Sequence, residues 1–226
     1  MPAAVRERAI EECVAPVVRI ARGRWAGRWS ASMDRGIGLL MLEGLLLRRV
    51  GVDGRFGAEL LGGGDVLRPW QGEDAQPTLP HTAGWRVLRQ TRVAVLDRRV
   101  AHRFARYPEL TGALVGRALE RSRNLAVNMA IVQHARVDVR LRMLFWHLAD
   151  RWGHVRTDGV SLPLHLTHTV LADLVAARRP TVTSALSELA KQDLVLPDGH
   201  VWLLSGGPPG ELLELRQVTV GAEDRA

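Results

Sequence analysis

The residues best equipped for chemistry in this 226-residue chain lie in one run, LADLVAARRPTVTSALSELAKQDLV (171–195). Two guanidinium groups, Arg178 and Arg179, stand directly before Pro180, and hydroxyls follow at Thr181, Ser184 and Ser187. Pro180 suits a first helical turn, where its missing N–H would have no partner anyway. Val182, Ala185, Leu186 and Leu189 then keep the i, i+3, i+4, i+7 spacing of a core-facing stripe. The opposite face carries Arg178, Arg179, Thr181, Ser184 and Ser187. An arginine at a helix tip can fork onto O6 and N7 of guanine in a major groove. Short hydroxyls let the backbone approach phosphates, and the helix N-terminus adds partial positive charge toward them. The competing account is a solvated surface. Two cations at the positive end of a helix dipole are badly placed for a purely structural role.

That helix, expected over 179–192, needs neighbours to hold it. A shorter helix is expected over 168–176, with Thr167 as its N-cap. Val170 stands where a capping-box acid would be. Leu171, Leu174 and Val175 form the buried side, and Ala176-Ala177 makes the turn between the helices. Upstream, VDVRLRMLFWHLADRWG reads as an amphipathic helix with Leu141, Leu144, Phe145 and Leu148 on one face. HVRTDGVSLPL is a candidate hairpin about Thr157-Asp158-Gly159, and LVLPDGHVWLL a second about Asp198-Gly199. Helix, hairpin, helix, helix, hairpin is the order of a winged helix-turn-helix. Double-stranded DNA is the expected partner.

Before this segment, ELTGALVGRALERSRNLAVNMAIVQHA reads as one long helix opened by Pro108. A seam of Val115, Ala118, Ser122, Leu125, Met129 and Val132 at spacings of three and four is the mark of lengthwise packing on a partner helix. A homodimer follows if that partner is a second copy; burial against its own domain is the alternative. Residues 36–106 read as β-rich, with short apolar runs separated by VDGR (52–55), GGGD (62–65) and the loop QGEDAQPTLPHTAG (71–84). An antiparallel sandwich or barrel is expected there. Residues 1–34 read as a mixed lead-in with a short helix ended by Pro16. The tail from 205 reads as loosely attached.

Composition bounds the rest. No apolar run approaches the ~18–20 residues of a membrane span. IGLLMLEGLLL (37–47) is short and interrupted, and the N-terminus lacks a signal-peptide pattern. Cys13 is the only cysteine, which excludes an internal disulfide and cysteine-built metal centres. A cytoplasmic protein is the simplest reading. The net charge is +7. Residues 1–135 hold 21 basic and 13 acidic side chains, whereas 136–204 hold 8 and 7. The positive charge is therefore not in the segment assigned to DNA, and local placement has to carry that assignment. No nucleophile–base grouping, HExxH, P-loop or complete GxGxxG is found, so no enzyme and no metal site are expected.

With these residues in view, the chain resembles the Crp/Fnr family of bacterial transcription regulators. LTHTVLADLVAARRPTVTSALSELAKQDLV (166–195) is similar to the family's helix-turn-helix run, with Arg179, Thr181 and Val182 on its Arg-x-Thr-Val core. The resemblance implies an α+β chain. Residues 1–106 would be an antiparallel cyclic-nucleotide-binding-like β-roll, 107–135 a dimerisation helix, 136–204 a winged helix-turn-helix and 205–226 a tail. It implies that Arg179 reads a base and Thr181 contacts phosphate. It places His168 and Thr169 at the phosphate-contacting start of the first helix, His200 at the wing tip and Asp138 at a hinge. RNA polymerase and a small-molecule ligand are further partners that it implies.

The departures are specific. Pro180 and Ser184 replace a glutamate and a second arginine, so the familiar operator is not expected. LLGGGDVL (60–67) resembles the family's Gly-Asp turn. The following stretch has Gly72-Glu73 but lacks the leucine and the Arg-Ser/Thr-Ala that would hold a cyclic phosphate. Cyclic AMP is not expected, and no cofactor is assigned. Trp70, His81 and Trp85 lie in or beside this loop, where a small apolar ligand or, through His81 or His102, haem is conceivable; core tryptophans and a solvated histidine are the bland account. The alternative to a regulator is a ligand-sensing or protein-interaction module with vestigial DNA binding, motivated by the near-neutral 136–204.

Overall fold

The computed structural model describes residues 2–27, 36–69 and 78–208. The chain divides into two compact units, Met1–Ala126 and Val127–Ala226. The division falls inside its longest helix.

The first unit contains α1 (Ala3–Glu12), β1 (Val17–Ile20), β2 (Gly23–Trp25), β3 (Gly38–Val52), β4 (Arg55–Gly62), β5 (Val66–Leu67), β6 (Thr82–Leu96) and α2 (Arg98–Phe104). It also holds most of α3 (Pro108–Val132). All strand pairs are antiparallel, in the order β1-β6-β3-β4, with β2 also on β6 and β5 also on β3. The antiparallel sheet expected over 36–106 is present. The mixed lead-in expected over 1–34 contains the short helix α1 before Pro16, and its Val17–Ile20 and Gly23–Trp25 add strands to β6. They are too short to show alternation, and pairing to a long neighbour makes them strands. The β-rich segment also ends in a helix, α2, which Asp97 caps by accepting the Val100 N–H at 2.9 Å.

Asp53 and Gly54, at φ 48° and 70°, form the two-residue turn of the β3–β4 hairpin. Positive φ at both central positions matches the right-handed twist of the strands. The core gathers Leu39, Met41, Leu46, Leu61, Leu67, Val87 and Val93, with Trp25 and Trp85 at its margin. Two acids among the described residues lie within this unit's interior, Glu59 and Asp65, and Asp65 accepts the Gly62 N–H at 2.7 Å. Glu59 on β4, 8% exposed, accepts from Arg121 Nε at 3.0 Å and Nη2 at 2.6 Å, and from Arg48 Nη1 at 3.0 Å. Arg121 Nη1 also donates to the Val66 carbonyl at 3.0 Å. Burial works most strongly against the Arg121 charge, but the hydrogen bonds and charge of Glu59, together with the charge of Asp65, more than offset it and hold its pKa above the usual arginine value. The forked geometry pins α3 to the sheet.

The second unit contains α4 (Val137–Trp152), β7 (His154–Arg156), β8 (Gly159–Leu162), α5 (His168–Leu174), α6 (Arg179–Lys191), β9 (Val195–Asp198) and β10 (Val201–Leu204). Its antiparallel sheet runs β7-β8-β10-β9. Leu141, Leu144, Phe145 and Leu148 of α4 are all buried, as the periodicity required. Phe145 packs on Trp202 of β10 with ring centroids 5.0 Å apart. This joins the helices to the sheet. No helix among the described residues is long and apolar enough to cross a membrane. The tail beyond 208 lies outside the described residues.

Removing the Glu59 charge strands two guanidinium groups. Glu59→Gln is expected to cost about 3 kcal/mol, read as a lower denaturation midpoint of the first unit in the full-length chain. An unchanged midpoint would show that the pair contributes nothing net.

Candidate nucleic-acid interface

The interface is built from the turn between α5 and α6. Thr167 caps α5 by accepting the Val170 N–H at 3.3 Å. The helix ends at Leu174 with Val175 as its C-cap, and Ala176 then takes a left-handed conformation at φ 50°. The Ala177 N–H reaches back to the Ala172 carbonyl at 3.0 Å. This is the six-to-one bond of a Schellman motif, in which glycine usually occupies the left-handed position. The same motif ends α6, with Asp193 at φ 53° and the Leu194 N–H on the Leu189 carbonyl at 3.0 Å. Alanine at such a position costs roughly 1–2 kcal/mol.

A cation from α4 holds the turn. Arg140 Nη1 donates to the Val175 carbonyl at 3.1 Å, with Ala176 O at 3.4 Å. Its Nε donates to the His134 carbonyl. The guanidinium thus sits on the end carbonyls of α5, where the helix dipole favours positive charge. At the start of α4, Asp138 lies in the first turn. Hydrogen bonds from Arg136 hold its carboxyl below the usual aspartate range against the opposing effect of burial. Sequence reading missed Arg140, because a helix-face arginine gives no local sign that it caps a different helix.

From this turn α6 runs with Val182, Leu186 and Leu189 buried and Ala185 half-buried. Arg178, Arg179, Pro180, Thr181, Ser184 and Ser187 are all exposed. Arg178 is the N-cap but its side chain makes no capping bond, and Pro180 has no N–H to satisfy. The front of the helix is therefore left open toward an anion. The Ser184 and Ser187 hydroxyls donate to the carbonyls of Pro180 and Thr183 at 3.3 and 3.1 Å. Both oxygens remain able to accept.

His168 and Thr169 open α5, half-buried and exposed respectively. His168 Nδ1 lies 2.9 Å from Thr183 Oγ1, and Thr183 donates to the Arg179 carbonyl at 3.1 Å. The front turns of the two helices are thereby fastened together. Thr183 is a site residue that sequence reading passed over. It is exposed and polar, one turn after Arg179, and that position was its only signal.

His200, exposed in the β9–β10 turn, packs edge-on against His165 at 5.5 Å. Arg156 ties the adjacent turns by bonds to Asp158 at 3.0 Å and Asp198 at 3.1 Å.

The other expected sites are less uniform. On α3, Val115 (53%), Met129 (67%), Ala118 and Ser122 are exposed, whereas Leu125 and Val132 are half-buried. Leu119, 62% exposed, was overlooked. A second exposed stripe runs Gly112, Val115, Leu119, Ser122, Ala126 and Met129, sharing Val115, Ser122 and Met129 with the expected seam. Trp70 lies outside the described residues. Trp85 packs edge-on against Trp25 at 5.8 Å, with the Arg48 guanidinium 5.4 Å from its ring centroid. His81 is exposed, with Nδ1 3.3 Å from the Leu79 carbonyl of its own loop. His102 on α2 lies 3.4 Å from Arg98 Nε. No three His, Cys, Asp or Glu among the described residues gather to hold a metal.

Comparisons with known proteins agree with this geometry. Residues 139–205 match the Crp-like helix-turn-helix domain. No curated protein sequence matches the chain. Several solved structures share its fold. A cyclic nucleotide-binding domain containing protein from Listeria monocytogenes is 14% identical with a TM-score of 0.68, covering 88% of this chain and 95% of its own. A mutant of CooA from Carboxydothermus hydrogenoformans is 16% identical with a TM-score of 0.64, covering 90% and 87%. The c-di-GMP-responsive regulator CLP of Xanthomonas campestris is 16% identical with a TM-score of 0.62, covering 91% and 100%.

Because Ala176 is strained and glycine is not, Ala176→Gly is expected to stabilise the second unit by about 1 kcal/mol. Thermal unfolding of the full chain reads this as a raised midpoint. A lowered midpoint would mean the turn is not left-handed at this residue.

Proposed function

We propose that this chain, with its Crp-like helix-turn-helix on a fold shared with Crp/Fnr-type regulators, is a homodimeric, sequence-specific DNA-binding transcriptional regulator of the cytoplasm. The observation that carries the proposal is the state of α6. Its aliphatic stripe is buried, and Arg179 stands exposed at its open N-terminus. In the proposed complex Arg179 reads a guanine edge, and Thr181, Ser184 and Ser187 lie against the backbone. Arg178, His168, Thr169 and His200 supply further phosphate contacts.

Dimerisation belongs to the proposal and is supported by the stripe on α3. Gly112, Val115, Leu119, Ser122, Ala126 and Met129 recur at alternating steps of three and four, the a/d pattern of a coiled coil. A second copy would cover Val115, Leu119 and Met129 and present two recognition helices to half-sites about 34 Å apart. Control without cyclic AMP is the remaining part. Its support is that the interior guanidiniums of the first unit, Arg48 and Arg121, are already engaged by Glu59. RNA polymerase and an unidentified small ligand remain as candidate partners.

Duplexes selected from the genome of the native host are expected to carry inverted half-sites. Arg179→Ala should lose ~1–3 kcal/mol of affinity for them, along with preference at one base position. Arg8→Ala, on exposed α1, should lose almost none. Failure to enrich any fragment above salt-sensitive background would favour the protein-interaction reading, which the near-neutral charge of 136–204 supports. Leu119→Arg should convert the dimer to a monomer in sedimentation and weaken binding to paired half-sites. An unchanged dimer would remove α3 from the interface.

A further inference from the structure

The first unit carries a second, unassigned surface. Strands β1, β2 and β6 contain no acidic residue, but they present arginines in register. Arg19 lies directly opposite Arg92, and Arg24 directly opposite Arg86. Their neighbours show which way they face. Ile20, Val87 and Val93 are buried in the core, and Trp25 pairs with Trp85 at its margin, so the intervening arginines stand on the outer face. Arg19, Arg24, Arg86 and Arg89 are exposed, and their guanidinium groups make no hydrogen bond or ion pair among the described residues. Arg92 alone has an acid, Glu43 at 3.4 Å.

Like charges placed directly opposite across two strands destabilise a sheet. Charges do guard the edge strands of sheets against unwanted pairing, but that purpose needs no arginine on β6, which lies inside the sheet order. A polyanion laid over the face would relieve both repulsions. From Arg86 to Arg92 the strand spans roughly 20 Å. Duplex DNA carries one charge per ~1.7 Å of axis with both strands counted, so a segment of this length carries about a dozen phosphate charges around its circumference. The charge distribution selects DNA over an acidic protein. Phosphate neutralisation supplies much of the affinity of DNA-binding proteins, yet 136–204 holds only 8 basic against 7 acidic residues, and 1–135 holds 21 against 13.

We propose that the outer face of the β1–β2–β6 sheet binds duplex phosphates without regard to sequence, alongside the helix-turn-helix. The proposal rests on the DNA-binding reading above. The second unit selects the site, and this face supplies salt-sensitive affinity from duplex outside it.

The test compares the full-length chain with a variant in which Arg19, Arg24, Arg86 and Arg89 are all replaced by alanine, and with the corresponding lysine variant. Each binds a duplex trimmed to the selected site and the same site with long random flanks, over a range of salt. The alanine variant is expected to bind the trimmed duplex like the wild type. On the flanked duplex it should lose the added affinity, with a salt slope smaller by about 0.9 for each phosphate contact removed. The lysine variant should retain most of it. Equal slopes for the alanine variant and the wild type on flanked DNA overturn the proposal, as does a wild type indifferent to flanks. Arg179→Ala separates the two ideas. If it leaves site preference untouched while the alanine variant still loses salt-sensitive duplex binding, the α6 reading fails and this face stands.

Discussion

The geometry of the second unit depends on one left-handed residue. Ala176 turns the chain between α5 and α6, and every exposed group on α6 takes its direction from that turn. Three devices enforce it. The Ala177 N–H closes back on Ala172, Arg140 holds the Val175 carbonyl, and the burial of Val182 and Leu186 fixes the roll of the second helix. A backbone conformation costing roughly 1–2 kcal/mol persists when its surroundings over-determine it. Its consequence is that Arg179 cannot turn inward without exposing the aliphatic stripe that begins three residues further on, at Val182.

Charge and shape are divided between the two units. The second unit is close to neutral, and its recognition face is specified by position: an open helix N-terminus, two guanidinium groups and a set of small hydroxyls. The first unit holds the surplus of arginine. Such a division is physically coherent for DNA. Base readout needs few groups in fixed geometry, whereas attraction to the duplex needs many charges with little geometric demand. A chain that separates the two can be selective at one surface and adhesive at another.

Much of this was legible in the sequence, for identifiable reasons. Long periodic segments such as 108–132 and 137–152 declare themselves because burial on one face imposes a period on many residues. The Asp53-Gly54 turn and the Thr167 cap were readable because their chemistry is local. What escaped was non-local. β1 and β2 are strands only because β6 pairs with them. The Glu59–Arg121 pair joins residues 62 positions apart, and nothing near either one in sequence signals it. Arg140 and Thr183 act across helices. On α3, Ala118 and Leu119 both fit a three-four pattern and both are exposed, so the sequence and the burial alike leave two overlapping stripes on that face.

The long helix connects these findings. Its first part is fastened to the sheet by Arg121 on Glu59, and its last residues belong to the second unit. Arg121 lies on the same helix, within the first unit, as the exposed Val115 and Leu119. The Arg48–Glu59–Arg121 group is thus more than a stabilising contact. It sets the height and roll of α3 against its sheet, and so decides which face of that helix is left uncovered.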